Sequence, residues 1–313
     1  MRLAFVFPGQ GSQSVGMLSD LATKFPQVQS TFAEASDALG YDLWALVSTG
    51  PVESLNETHR TQPAMLAAGI AVWRSWQSFS DIKPSFLAGH SLGEYTALVA
   101  AGALDFTDAI KLVEQRGQFM QQAVPVGEGA MAAILGLEDD VVRAVCAQAA
   151  EKGVAEAVNF NSPGQVVIAG EAQAINTAIE LAKGKGAKRA LLLPVSVPSH
   201  CALMKPAAEQ LAAALENITI QSPQIPVIHN VSVATASSEA DIKKLLAQQL
   251  HNPVRWVESV QYLAAQGVDT LVECGPGKVL AGLTKRIDKS ITGLPMFDQI
   301  SIEKVQQFVG ESE

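Results

Sequence analysis

Gly89-His90-Ser91-Leu92-Gly93 has the residue types and spacing of a nucleophilic turn. In G-x-S-x-G the first glycine leaves room for a sharp strand-to-helix turn, and the second lets helix and strand pack closely. The serine hydroxyl then stands at the tip, above the first-turn N–H groups of the helix. Those groups and the helix dipole favour negative charge, which is what a tetrahedral acyl intermediate develops. The same letters also read as a capping box, Ser91-Leu92-Gly93-Glu94, in which the serine merely starts a helix and the glutamate reaches back. The apolar Phe86-Leu87-Ala88 before the turn and Tyr95 to Ala101 after it supply the strand and helix that an elbow requires. That context favours the nucleophile.

A serine nucleophile needs a base, something to orient the base, and donors for the oxyanion. Of the five histidines, His90 lies inside the turn, and His59, His229 and His251 stand in weaker contexts. His200 follows Val197-Pro198-Ser199 at a loop-to-helix junction, where a lone histidine is more often an ordinary surface or cap residue than a base. A hydrolase triad in the order Ser, acid, His requires a carboxylate in a strand-end loop between Ser91 and His200. The acids in that interval, such as Asp105, Asp108, Glu138 and Asp139, sit at helix starts or on helices. The HGGG oxyanion loop of lipases is missing too. Arg116 lies four residues after Leu112 and four before Met120, so it shares their apolar helical face. Taken by itself, such an arginine reads as the partner of a protein carboxylate.

The elements that must carry these residues form an α/β pattern. Leu3 to Phe7 reads as a buried first strand ended by Pro8-Gly9. The loop Gly9-Gln10-Gly11-Ser12-Gln13 can present N–H groups, but it has neither the lysine of a P-loop nor the dinucleotide spacing. Thr61-Gln62-Pro63 starts a helix whose broad apolar face includes Trp73 and Trp76, read as core. His59 and Arg60 ahead of it read as solvated. Residues 129–195 change character and read as β-α-β-β-α-β, the ferredoxin-like pattern. Asn159 to Gly164 between its middle strands is a turn by composition, with two asparagines that could touch a substrate. The expected layout is therefore a core of residues 1–126 and 197–313 with a mainly parallel sheet flanked by helices, and an inserted small subdomain over 127–196. Thr270 to Glu273 reads as a further strand, and the tail after Asp288 as less regular.

Length and composition set outer bounds. The 313 residues are 48% hydrophobic and 17% charged, enough apolar material for a sizeable core. The net charge of −9 argues against nucleic acid as a partner. Cys146, Cys201 and Cys274 are odd in number and far apart, which suggests neither a disulfide framework nor a zinc site. No apolar run approaches a membrane span and no signal peptide is recognisable, so a cytoplasmic setting is expected.

Taken together, Gly9-Gln10-Gly11-Ser12-Gln13, Gly89-His90-Ser91-Leu92-Gly93, Gln115-Arg116-Gly117, His200 and Gly275-Pro276-Gly277 closely resemble the malonyl-CoA:acyl carrier protein transacylase family of fatty-acid synthesis. The likeness runs from Met1 to about Ile287 and covers the ferredoxin-like insertion. The resemblance implies a hydrolase-like core and ping-pong transfer of malonyl from malonyl-CoA to the phosphopantetheine thiol of acyl carrier protein. It also implies Ser91 as the acylated residue, His200 as its base, and the N–H groups of Gln10 and Leu92 as the oxyanion hole. A carbonyl at Gln249 would orient the histidine, which would account for the missing acid. Arg116 would grip the substrate carboxylate, and Met120 would line the pocket. No metal or redox cofactor is implied. A serine esterase or thioesterase with the same nucleophile is the competing expectation. Lys183, Lys185, Lys188, Arg189, Lys285 and Arg286 are candidate contacts for an acidic carrier, against the plain alternative of solvated side chains.

Overall fold

A computed structural model of the chain describes residues 1–195 and 197–310. The strands are β1 (Leu3–Phe7), β2 (Phe86–Gly89), β3 (Gly129–Leu135), β4 (Ala155–Ser162), β5 (Gln165–Glu171), β6 (Arg189–Leu192), β7 (Val227–Ile228), β8 (Thr270–Cys274) and β9 (Thr292–Met296). Five of them make a parallel sheet in the order β7-β2-β1-β8-β9. β1, β2 and β8 are buried along their whole lengths, which is why β1 and β2 read as continuous apolar runs rather than alternations, while β8 buries Thr270 and Glu273 among its apolar residues. Helices cover the sheet, and the buried helix Thr58–Gln77 carries Trp73 and Trp76, which meet Phe5 of β1 edge-on at 5.5 Å.

Register decides where the site falls. Phe7 lies opposite Gly89, and Ala88 opposite Ile228. Because the three strands run parallel, the segments after Phe7, Gly89 and Ile228 all leave the sheet on the same side. Such carboxyl-end loops are where open α/β sheets build their sites.

The second sheet is antiparallel, in the order β4-β5-β3-β6, with the helices Asp139–Ala149 and Ala172–Gly184 packed on it over a separate apolar core. Its element order is the β-α-β-β-α-β expected from the sequence. The second boundary expected for this unit, at residue 196, falls outside the described residues.

Two sequence expectations need correction. The strand that reads as ending at Asn159 continues as β4 through Phe160, Asn161 and Ser162, so these are not in the turn, and register shifts between Ala157 and Asn159 and between Phe160 and Ser162 interrupt the ladder. The asparagines look like turn residues, yet the bulges let them sit in a strand. The tail is also more regular than its sequence suggests. Thr292–Met296 is an edge strand, followed by the helix Gln299–Gly310. Gly293 and Pro295 disguise β9 as a loop, and an edge position tolerates the missing proline donor.

Glu273 is an acid inside the main sheet. Its Oε2 accepts the Ala281 N–H at 2.8 Å at the head of the helix Val279–Ile287, while Oε1 is buried without a partner. Burial pushes its carboxyl up to about 7. As pH rises from the ordinary carboxylate range towards 7, the unfolded chain releases a proton that the folded chain retains. Stability from this group is therefore full at low pH and lost as pH climbs through 7. Glu273→Gln is expected to melt above the wild type at pH 8, with the gain gone at pH 5. An equal difference in melting temperature at both pH values would contradict this.

Candidate active site

Ser91 stands at the end of β2 with φ of 52°, a left-handed conformation that costs a non-glycine residue about 1–3 kcal/mol. The glycines on either side make that turn sterically feasible. A Cβ on Gly89 would come within 1.9 Å of the Gly93 carbonyl, and one on Gly93 within 2.0 Å of Phe7 O. The elbow expected from G-x-S-x-G is therefore present, with the helix Gly93–Ala100 leaving directly from it. The capping-box alternative is not realised, because the Glu94 side chain turns towards His229, Asn230 and Gln249 instead of the helix start.

His200 meets Ser91 from the other side, with Oγ and Nε2 2.7 Å apart. Its Nδ1 lies 2.7 Å from the backbone carbonyl of Gln249. A carbonyl only accepts, so Nδ1 carries the proton and Nε2 presents its lone pair to the serine hydroxyl. The His200 N–H also donates to Leu250 O at 2.9 Å. Burial, and then the positive Arg116, hold the imidazole down to about 3. The ring is thus neutral at physiological pH, with its Nε2 lone pair facing the serine hydroxyl.

Arg116 is 1% exposed, on the helix Phe106–Ala123. Gly117 lets that helix close on the one carrying Gln62, since a Cβ there would lie 2.5 Å from His59 Cα. One guanidinium nitrogen donates to Gln62 Oε1 at 2.8 Å. The other donates to Gln249 Oε1 at 3.0 Å and reaches Ser91 Oγ at 3.4 Å. The Tyr95 ring lies 5.4 Å from its Cζ. No carboxylate of the described residues comes within ion-pair distance of it. The expected protein ion pair is absent, and two neutral amides take its place.

The remaining site residues are brought in by tertiary contact. Met120 is buried and its sulfur accepts from Gln62 Nε2 at 3.4 Å, so it steadies the amide that touches Arg116. Gln249 contributes its side chain as well as its carbonyl: Nε2 donates to Ser91 O at 3.0 Å and to Glu94 Oε2 at 2.8 Å. Asn230, directly after β7 and His229, accepts the Ser91 N–H at 2.8 Å and donates to Gly89 O at 2.7 Å. The His90 ring reaches into the second sheet and donates from Nε2 to Asn161 Oδ1 at 2.8 Å. Val254 joins the same sheet through backbone hydrogen bonds with Val158 and Phe160. Gln10 approaches the elbow because Gly9 packs on the His90 carbonyl, where a Cβ would lie 2.5 Å away.

Sequence reasoning missed Gln62, Glu94, His229 and Asn230. Glu94 carried a signal, a carboxylate in the first turn of an apolar helix, but the capping box explained it locally. Nothing in the sequence marked Asn230. Among the described residues, no group of three or more histidine, cysteine and carboxylate side chains could hold a metal ion.

A half-buried serine on an elbow paired with a buried histidine, with a cation lodged beside the hydroxyl, equips the site for acyl transfer, and the chain belongs to the acyl transferase domain family, whose model matches residues 4–302. Within that family it is 60% identical over 291 residues to the malonyl CoA-acyl carrier protein transacylase of Escherichia coli K12, covering 93% of this chain and 94% of that protein. The crystal structure of an acyl carrier protein S-malonyltransferase from Vibrio cholerae superposes with a TM-score of 0.95 at 60% identity, covering 97% of this chain and all of that one. A malonyl-transacylase solved in complex with its type II PKS acyl-carrier protein superposes at 0.97 with 56% identity, covering 98% of this chain and 99% of that one.

The low-lying imidazole has a measurable consequence. The rate at which a fluorophosphonate labels Ser91 is expected to stay level from pH 8 to pH 5, because His200 remains unprotonated throughout. Arg116→Ala removes a positive neighbour and is expected to move the acid limb to higher pH. A wild-type midpoint near 6.5, the value of an unperturbed imidazole, would contradict the geometry.

Proposed function

We propose that this chain transfers a malonyl group from malonyl-CoA to the phosphopantetheine thiol of acyl carrier protein, with Ser91 as the residue acylated in between. The observation that carries the reading is Arg116, a buried cation beside the Ser91 hydroxyl with no carboxylate of its own. A malonyl thioester brings the missing carboxylate.

In the first half-reaction His200 Nε2 takes the Ser91 proton as Oγ attacks the thioester carbonyl. The tetrahedral intermediate collapses, its C–S bond breaks, and His200 returns the proton to the departing CoA thiolate. In the second half the carrier thiol gives its proton to His200 and attacks the malonyl-serine ester, and Ser91 recovers its proton. We assign the oxyanion hole to the Leu92 and Gln10 N–H groups. Ser91 N–H is already committed to Asn230, whereas Leu92 heads a helix, whose first N–H groups have no intrahelical partner. Gln249 orients His200 by its carbonyl, Arg116 grips the malonyl carboxylate, and Met120 shapes the pocket by fixing Gln62. Residues 127–196 act as the subdomain closing one side of the site, in an enzyme working in the cytoplasm without metal or redox cofactor.

For the carrier, Lys285 and Arg286 are the favoured contacts. Both are exposed, and Arg286 reaches Gln165 of the second sheet at 3.2 Å, so they lie at the seam between the two sheets. Lys183 already pairs with Glu180 at 2.8 Å, and it recedes as a candidate.

A bidentate charge-assisted contact is worth about 1.5–3 kcal/mol, or roughly 10- to 150-fold in kcat/KM. Arg116→Ala is expected to lose malonyl transfer by at least that factor while acetyl transfer is kept or gained. Equal loss of both would make Arg116 structural and sink the reading. With radiolabelled malonyl-CoA, label should move to carrier protein; rapid release of free malonate irrespective of carrier would favour a thioesterase. Reversing Lys285 and Arg286 to glutamate should raise KM for the carrier and not for malonyl-CoA, and an unchanged carrier KM would remove that surface.

A further inference from the structure

The side-chain amide of Gln249 is held between two charges. On one side stands Arg116, which can only donate, so Gln249 must present Oε1 to it, 3.0 Å away. On the other stand the Glu94 carboxylate and the Ser91 carbonyl, which accept Nε2–H at 2.8 and 3.0 Å. The polarity of the amide is thus fixed at both ends. Glu94, itself 1% exposed, also accepts the Asn230 N–H at 2.9 Å on Oε2 and faces His229 Nδ1 at 2.7 Å through Oε1. His229 Nε2 is buried without a partner. That suits a neutral ring donating from Nδ1, because a second ring N–H there would have no acceptor. Three donors converge on the two Glu94 oxygens, which act only as acceptors, and a carboxylate there attracts the Arg116 guanidinium.

We propose that Glu94 is the counter-charge of Arg116, held one amide away by Gln249, so that the guanidinium is compensated without being occupied. This inference rests on the reading that Arg116 receives the malonyl carboxylate, and it assigns a positioning residue that sets how tightly the carboxylate is held. A direct ion pair would close the guanidinium to substrate. No counter-charge at all would leave a bare buried cation, which would hold a dicarboxylic acyl group too firmly for rapid exchange. The interposed amide gives the intermediate case.

The test separates charge from geometry. In Glu94→Gln the new Oε1 can still accept from Asn230 and Gln249, and the new Nε2 can donate to His229 Nδ1 once that ring adopts its other neutral tautomer. The hydrogen bonds made by residue 94 persist, and the remaining cost, a His229 Nε2–H buried without an acceptor, falls on both acyl donors alike, so the loss of charge is read from the malonyl-to-acetyl ratio. KM for malonyl-CoA is expected to fall about three- to tenfold, and the malonyl-to-acetyl ratio of kcat/KM to rise. In Gln249→Glu a carboxylate lies directly on the guanidinium, at the expense of the Nε2 hydrogen bonds to Glu94 and Ser91 O, which bear on both acyl donors, and the same ratio is expected to fall by about tenfold or more. A purely structural Glu94 would change both acyl donors by one factor, and a ratio unchanged in Glu94→Gln would overturn the proposal. Should that variant fail to fold, Gln249→Glu decides the matter, and a ratio that does not fall overturns it. Arg116→Ala run alongside keeps the two ideas apart. Equal loss of malonyl and acetyl transfer there removes the underlying reading, whereas selective loss combined with an acyl-blind Glu94→Gln removes only the counter-charge.

Discussion

Burying a guanidinium costs several kcal/mol unless an anion accompanies it, and Arg116 is buried against two amide oxygens instead. Everything nearby serves that arrangement. Gly117 lets two helices approach closely enough for Gln62 to reach the fork, Met120 holds Gln62, and Gln249 is fixed from behind by Glu94. Burial first, and then this cation, press down on His200 and keep the imidazole unprotonated. In the proposed reaction, one buried charge thereby links acyl selectivity to the state of the nucleophile's partner.

The absence of an acid in the serine–histidine pair follows from the same economy of charge. A carboxylate behind His200 would lie close to Arg116 and, in the proposed reaction, compete with the malonyl carboxylate for it. A backbone carbonyl orients the imidazole equally well and carries no net charge. The segment that supplies it, Gln249 to Val254, also anchors His200 through Leu250 and joins β4 through Val254. The base and the second sheet therefore share a support, and His90 adds a direct hydrogen bond from the elbow to that sheet.

Much of the architecture was legible in the sequence because it is governed by short-range rules. Glycine spacing announces the elbow, continuous apolar runs announce the buried parallel strands, and a change of periodicity announces the second sheet. Errors arose where local composition points one way and tertiary packing another. Asn159 to Ser162 carries turn letters inside a bulged strand, and Gly293 with Pro295 hides an edge strand. Glu94 beside Ser91 satisfied a helix-capping rule so well that its real partners, more than a hundred positions away, left no trace.

Ser91 and its elbow belong to the sequence by itself, since a strand, a tight turn and a helix are specified within about fifteen consecutive residues. The role of Arg116 does not. On an apolar helical face it reads as half of a protein ion pair, and only the folded molecule shows that the other half is missing. The reason is physical: burial and the neighbourhood of a charge are set by contacts between residues far apart in the chain. Parallel register brings Asn230 beside Ser91, and a close helix crossing brings Gln62 beside Arg116. No spacing along the chain encodes either meeting.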